Sequence, residues 1–149
     1  MEVVIFVGIQ GAGKSTFCKA RFYDSHIRLN LDMLRTRHRE TLLFEACLEA
    51  KQKLVLDNTN LTREEREKYI LRAKEFGFKI VGYYFQAKIE KAIERNNERE
   101  GKAKIPEKGL HGALKRLQIP MLEEGFDELF YVWINDENQF VIEIWQNEV

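Results

Sequence analysis

Apolar positions in this sequence gather into short dense runs, and the segments between them are charged with apolar residues spaced through them. Glu2 to Val7 is rich in β-branched residues and does not alternate with polar ones, which suits a strand buried on both faces of a parallel sheet. Lys53 to Asp57, with Leu54-Val55-Leu56 at its centre, and Lys79 to Phe85 read the same way, while His26 to Asn30 is a weaker strand. Lys14 to Tyr23 reads as a helix with Phe17, Cys18 and Phe22 available to pack, and Met33 to Gln52 is helix-prone with a break near Thr36. Thr62 and Glu65 form a capping-box pattern and Gly77 supplies a stop, so a helix is predicted from Arg63 to Phe76. A charged helix follows over about Lys88 to Glu100, then a loop from Gly101 to Ile105 before Pro106. Glu107 to Gln118 is a further helix, weakened in its first half by Gly109 and Gly112. Leu129 to Ile134 and Phe140 to Trp145 flank Asn135-Asp136-Glu137-Asn138 and read as two strands joined by a tight turn.

Strands alternating with helices in this order predict an α/β fold: an open, mostly parallel sheet with helices on both faces and the last strand antiparallel at an edge. The length of 149 residues is that of one domain, with no second catalytic domain expected. Charge changes the picture by exclusion. The 24 basic and 24 acidic residues balance, so the molecule as a whole is not a strong positive field for duplex nucleic acid, and any such contact must be local. Cys18 and Cys47 have no metal or CxxC spacing and read as small buried hydrophobes. The apolar run at the N-terminus lacks a basic leader and is cut off by glycines, so a cytoplasmic protein with no membrane association is expected.

The chemistry enters with Gly8-Ile9-Gln10-Gly11-Ala12-Gly13-Lys14-Ser15-Thr16, placed between the first strand and the first helix. Phosphoryl transfer requires holding polyphosphate oxygens without crowding them. The glycines Gly8, Gly11 and Gly13 let backbone N–H groups turn toward phosphates, and the helix N-terminus adds partial positive charge. In this pattern Lys14 bridges the β- and γ-phosphates, Ser15 ligates magnesium and Thr16 reaches the α-phosphate. The motif implies ATP and Mg2+ in a P-loop NTPase-type fold. It does not by itself separate a kinase from an ATPase or a binding module, although the absence of an N-K-x-D sequence lowers the GTPase reading.

A kinase acting on a hydroxyl gains from a carboxylate that accepts its proton, an effect of roughly 10² to 10⁴ in rate. Asp32 stands just past the second predicted strand, on the edge where open α/β sheets bind ligands; it reads as that base or as the N-cap of a helix beginning at Met33, and the two roles are not exclusive. Arg35, three residues on, would share a helical face with Asp32 and could hold an acceptor phosphate. Asp57-Asn58-Thr59-Asn60 follows the third strand and reads either as a Walker B aspartate with polar neighbours or as a strand-end turn. Arg95 and Arg99 share one face of the charged helix, as lid arginines or as part of a solvated surface. His26, His38 and His111 are isolated and show no metal spacing.

Together these motifs resemble the kinase domain of the polynucleotide 5′-hydroxyl kinases, including the kinase half of the polynucleotide kinase/phosphatases. The matching segments are Gly8 to Thr16, Asn30 to Arg35, Asp57 to Leu61, Arg95 to Glu100, Ile105-Pro106 and Ile119 to Phe126, in family order and over most of the chain. The resemblance implies that Lys14 and Ser15 bind ATP and magnesium, that Asp32 is the general base, that Arg35 contacts the phosphate next to the acceptor, and that Arg99 is the lid arginine. It implies a lid or adenine contact for Arg95. Leu31 departs from the family, where an arginine is common, and no phosphatase domain is expected beside the kinase. The expectation is therefore transfer of the ATP γ-phosphate to a 5′-hydroxyl end of DNA or RNA, with a small-metabolite, nucleoside or sugar kinase and a non-catalytic nucleotide switch as the competing readings.

Overall fold

A computed structural model of the chain describes residues 1–87 and 107–145. The expected charged helix from Lys88 to Glu100 and the loop to Pro106, and with them Arg95 and Arg99, lie outside the described residues. The elements in chain order are β1 (Glu2–Val7), α1 (Lys14–Arg21), β2 (Ile27–Leu29), α2 (Leu31–Leu34), α3 (Arg37–Glu49), β3 (Leu54–Leu56), α4 (Arg63–Glu75), β4 (Lys79–Phe85), α5 (Glu107–Arg116), a short 3-10 turn (Leu122–Glu124), β5 (Glu128–Ile134) and β6 (Phe140–Ile144).

The six strands form one sheet in the order β2-β3-β1-β4-β5-β6. All neighbours are parallel except β6, which runs antiparallel to β5 at the edge. Every residue from Val3 to Val7 is fully buried, as the dense apolar run requires when both faces of a strand are covered. Val3, Ile5 and Val7 pack with α3 and α4 through Phe44, Leu48, Tyr69 and Ile70. Val4 and Phe6 pack on the other face with α1 through Phe17, Cys18 and Phe22. The rings of Phe6 and Phe85 meet edge-on with centroids 5.1 Å apart, and Phe17 sits 5.8 Å from Phe6 in the same manner. Burying each such ring contributes about 1.5–3 kcal/mol relative to leaving it exposed.

Two loops leave the carboxyl ends of the central strands toward opposite faces, β1 to α1 and β3 to α4. A crevice opens where they part, as in other open α/β sheets. Two helices start at places the sequence marked, one by a capping pattern and one by a break. Thr62 accepts from the Glu65 amide at 3.2 Å to start α4, and Thr36 accepts from the Arg39 amide at 3.1 Å to start α3. The break expected near Thr36 is this second cap. Among the described residues no helix is long and apolar enough to cross a membrane.

Candidate active site at the ends of the central strands

The loop after β1 winds into α1 through Gly13, whose φ of 96° and ψ of 12° lie in the left-handed region. A side chain there would meet the strain of that conformation, and its Cβ would lie 3.2 Å from Ile134 Cδ1 and 3.3 Å from Phe140 Cε1. α1 has no side-chain cap, so the donors of its first turn are left to a ligand, and Lys14 and Ser15 occupy that turn. Lys14 is 9% exposed, and its Nζ donates to Gly8 O at 2.9 Å and to Ile9 O at 2.8 Å. The ammonium therefore lies across its own loop. Phosphate oxygens accept more strongly than these carbonyls because they carry charge.

On the opposite wall the chain leaves β2 and turns at once into α2. Asn30, not Asp32, is the N-cap: its Oδ1 accepts from the Met33 amide at 3.0 Å, and its Nδ2 donates to the Asp57 carbonyl at 2.6 Å. This corrects the expectation that a helix begins at Met33 with Asp32 before it. β2 pairing ends at Leu29, so the next residue with a side-chain acceptor takes the cap. Asp32 is thereby left in the first turn of α2, exposed and with no hydrogen bond or ion pair among the described residues. Arg35 is also corrected. It stands outside α2 with φ 76° and ψ −36°, so the shared helical face with Asp32 does not form.

The third wall is the segment after β3. Asp57 is buried, its side chain 1% exposed, and its Oδ2 accepts from Ser15 Oγ at 3.1 Å and from Arg28 Nε at 2.7 Å. Asn58 joins two elements: its Oδ1 accepts from the Leu31 amide at 2.9 Å and its Nδ2 donates to Glu40 Oε2 at 2.9 Å. Buried Glu40 also accepts from the Tyr69 hydroxyl, and Arg37 donates to that hydroxyl at 2.9 Å. Burial pushes the Tyr69 phenol well up from its ordinary value, and the bond to Glu40 adds to the rise. The Thr59 carbonyl accepts from the Gly8 amide at 3.0 Å, which ties this segment to the glycine loop.

Gln10, Gly11, Lys14 and Ser15, then Asn30, Leu31 and Asp32, then Asp57, Asn58 and Thr59 line one cleft of about 200 Å3. Of the residues expected at the site, Gly11, Lys14, Ser15, Asp32, Asp57, Asn58 and Thr59 are brought together. Gly8, Gly13, Thr16 and Arg35 do not line this cleft. Asn60 turns away from it. Buried with φ 45°, it donates to Phe6 O at 2.8 Å and so pins the loop to β1 instead of facing a ligand.

Arg28, Glu40 and Arg66 were not singled out from the sequence, and Asn30 entered only as the first residue of a matching segment. Arg28 and Asn30 stand in and just after β2, where the alternation of Ile27 and Leu29 with Arg28 placed the arginine on the α1 face. Arg66 is fully buried; its Nε and one terminal nitrogen donate to the two oxygens of Glu124 at 2.8 and 3.0 Å, and its other terminal nitrogen donates to Asn60 O at 2.8 Å. Arg66 precedes Tyr69, Ile70 and Ala73 at helical spacing, and Glu40 precedes Phe44, Cys47 and Leu48 in the same way, a signal that marked both for the core side.

Ser15 Oγ and the Asp57 carboxylate are hard oxygen donors side by side at the loop's end. That set suits magnesium, which uses one or two protein oxygens and takes its remaining ligands from water and phosphate. Cys18 beneath them is no nucleophile at neutral pH. Burial, and next the charge of Asp57, push its thiol up to about 11 against a smaller opposing pull from Arg28.

A parallel sheet of this order, a glycine loop opening α1 and a carboxylate at the end of the neighbouring strand define a kinase-like P-loop NTPase domain. The chain belongs to the AAA domain family, which matches residues 34–120. It is similar to the bifunctional polynucleotide phosphatase/kinase of Schizosaccharomyces pombe, with 32% identity over 129 residues that cover 84% of this chain and 32% of that protein. It is also similar to the L-seryl-tRNA(Sec) kinase of Methanococcus maripaludis, with 26% identity over 144 residues that cover 84% of this chain and 56% of that one. The chain thus spans about a third of the first relative and just over half of the second. Among solved structures, Chaetomium thermophilum Kti12 in complex with ADP-AlF3 shares the fold with a TM-score of 0.68 at 16% identity over 90% of each chain.

Proposed function

We propose that this chain transfers the γ-phosphate of ATP, with magnesium, to the 5′-hydroxyl end of a DNA or RNA strand. The observation that carries the reading is Asp32. It is a carboxylate without a partner among the described residues, set across a cleft of about 200 Å3 from Lys14 and Ser15 on a helix whose cap and first amide are both tied to the β3 loop. An acceptor hydroxyl between Asp32 and the glycine loop loses its proton to the carboxylate as its oxygen attacks the γ-phosphorus, and the bond from that phosphorus to the β-phosphate oxygen breaks. Lys14 holds the β- and γ-phosphates, and the first-turn amides of α1 offset charge on the phosphate oxygens. Ser15, with Asp57 beside it, would hold magnesium, which would supply charge neutralisation to the phosphates. The likeness to a polynucleotide phosphatase/kinase supports a polynucleotide acceptor. By the resemblance, Arg99 stabilises the transferring group and Arg95 serves the lid or the adenine.

Leu31 on the cleft wall favours a second reading, since an apolar residue beside the acceptor suits a small or aminoacyl hydroxyl as well as a nucleotide end. One experiment separates the readings: incubation with γ-labelled ATP, magnesium, a panel of 5′-hydroxyl oligonucleotides and a panel of small alcohols, sugars and nucleosides. Label at an oligonucleotide 5′ end supports the first reading. Label only on small molecules replaces it with the second, and ATP binding without transfer to any hydroxyl overturns both.

A further inference from the structure

Arg28 is an arginine on the edge strand β2, and it reaches the two groups that would serve magnesium. Its Nε donates to Asp57 Oδ2 at 2.7 Å, one terminal nitrogen donates to Ser15 Oγ at 3.2 Å, and Ser15 Oγ donates to that same Oδ2 at 3.1 Å. The carboxylate side chain is 1% exposed while the arginine side chain is 35% exposed. A buried carboxylate requires a compensating charge, and here the guanidinium supplies it.

The lone pair of Ser15 Oγ that accepts from Arg28 is one a metal ion would use, and a guanidinium beside Asp57 repels a second cation at that place. We propose that Arg28 is a resident cation for the Asp57 and Ser15 pair, which magnesium displaces when it enters with nucleotide. The guanidinium has somewhere to go. On its other side lies a second cleft of about 380 Å3, lined by Ser15, Cys18, Lys19, Phe22, Tyr23 and His26 together with Arg28 itself. The ring of Tyr23, 78% exposed, offers it a face to stack on, and of the residues lining that cleft Lys19 is a like charge and His26 is held by Glu2. The exchange keeps Asp57 neutralised in both states and confines tight metal binding to the nucleotide-loaded protein.

The inference rests on the reading of Ser15 and Asp57 as the magnesium side of the site, so its test is carried out without nucleotide or acceptor. Manganese binding to the nucleotide-free protein, followed by electron paramagnetic resonance, is compared for the parent, Arg28→Met, Arg28→Gln and Arg28→Lys. Arg28→Met and Arg28→Gln are expected to bind manganese about tenfold or more tightly than the parent, since each removes the competing charge. Arg28→Lys stays close to the parent. Adding Asp57→Asn to Arg28→Gln abolishes the gain, and magnesium chloride raises the melting temperature of Arg28→Gln by more than that of the parent. Equal or weaker manganese binding by whichever of the two neutral variants folds overturns the proposal. ATP binding by the parent, measured separately, judges the nucleotide site: its absence sinks the kinase reading, whereas its presence with unchanged metal affinity in the variants sinks only the role of Arg28.

Discussion

Lys14 and Asp32 face one cleft from different elements, and their substitutions separate two contributions. On the proposed reading, Lys14→Ala removes charge that holds the β- and γ-phosphates in the ground state and the transition state, so both ATP affinity and transfer fall. Asp32→Ala removes the base alone, so kcat drops by roughly 10² to 10⁴ while ATP binding stays near that of the parent. Steady-state kinetics together with equilibrium ATP binding check this, and an Asp32→Ala variant as impaired in ATP binding as Lys14→Ala would move Asp32 into a structural role. The thiol of Cys18 yields a second residue-scale expectation. Its folded pKa is raised to about 11, chiefly by burial, so the folded state keeps a proton that the unfolded chain gives up near its ordinary value of about 8.5. The stability from this group is fully present below the unfolded pKa and is lost as pH rises toward about 11. Urea midpoints measured from pH 8 to pH 10.5 should therefore fall less steeply in Cys18→Ala than in the parent. Parallel slopes would show that the thiol ionises equally in both states.

At the scale of elements, the buried pair of Arg66 and Glu124 joins α4 to the 3-10 turn, and Arg66 also holds the carbonyls of Asn60 and Leu61 at 2.8 and 3.1 Å. It thus supports the loop that carries Asp57 and Asn58. Arg66→Ala strands a buried carboxylate and two carbonyls and should cost about 3–5 kcal/mol, whereas Arg66→Met with Glu124→Met should cost much less because no buried charge is left unpaired. Urea unfolding of the three proteins checks the order, and equal losses in the single and double variants would rule out a stranded charge as the cause. This pair also marks the boundary of what the sequence revealed. Strands showed plainly because a sheet covered on both faces demands unbroken apolar runs, and β1 and β4 have the bounds expected of them. The cap at Thr62 was legible because a side-chain acceptor before a helix has a local job, whereas at Thr36 the sequence showed only a break. Helical spacing offered a core-side signal for Arg66 and Glu40, but charge reads as exposure unless its partner is known, and the partners of these two and of half-buried Arg28 come from distant parts of the chain. Arg35 failed for another reason: helical spacing was assumed to continue past Leu34, where the backbone instead turns to positive φ. The glycine loop, Asp32 and Asp57 were found because each sits at a strand's carboxyl end, which chain order alone locates.

At the scale of the whole molecule, balanced charge sets how a nucleic-acid end would be held. Around the segment that follows β2 the basic residues among those described are Arg35, Arg37, His38 and Arg39, on or beside α2 and α3, while Lys14 and Arg28 are bonded to the glycine loop and to Asp57. Arg37 is engaged with Tyr69 and Glu40, and Arg39 donates to the Leu34 carbonyl at 3.2 Å. On the proposed reading Arg35, exposed just past the helix that carries Asp32, outside the cleft lining and without a partner among the described residues, would hold a phosphate. On that reading one such residue and one neighbour neutralise about two phosphates of a single strand, and log K should fall with log salt at roughly −0.7 per phosphate, or about −1.4 in total. A shallow slope of that kind means recognition of the terminus itself. An oligonucleotide of a few residues should then be phosphorylated nearly as well as a long one, and removing its first internal phosphate should weaken it, while Arg35→Ala should flatten the salt dependence by about one phosphate's worth. Binding titrations at several salt concentrations with oligonucleotides of graded length measure all three. A slope near −4, which needs roughly six neutralised phosphates, or a steep gain with length would require an extended basic groove and would overturn recognition confined to the end of the strand.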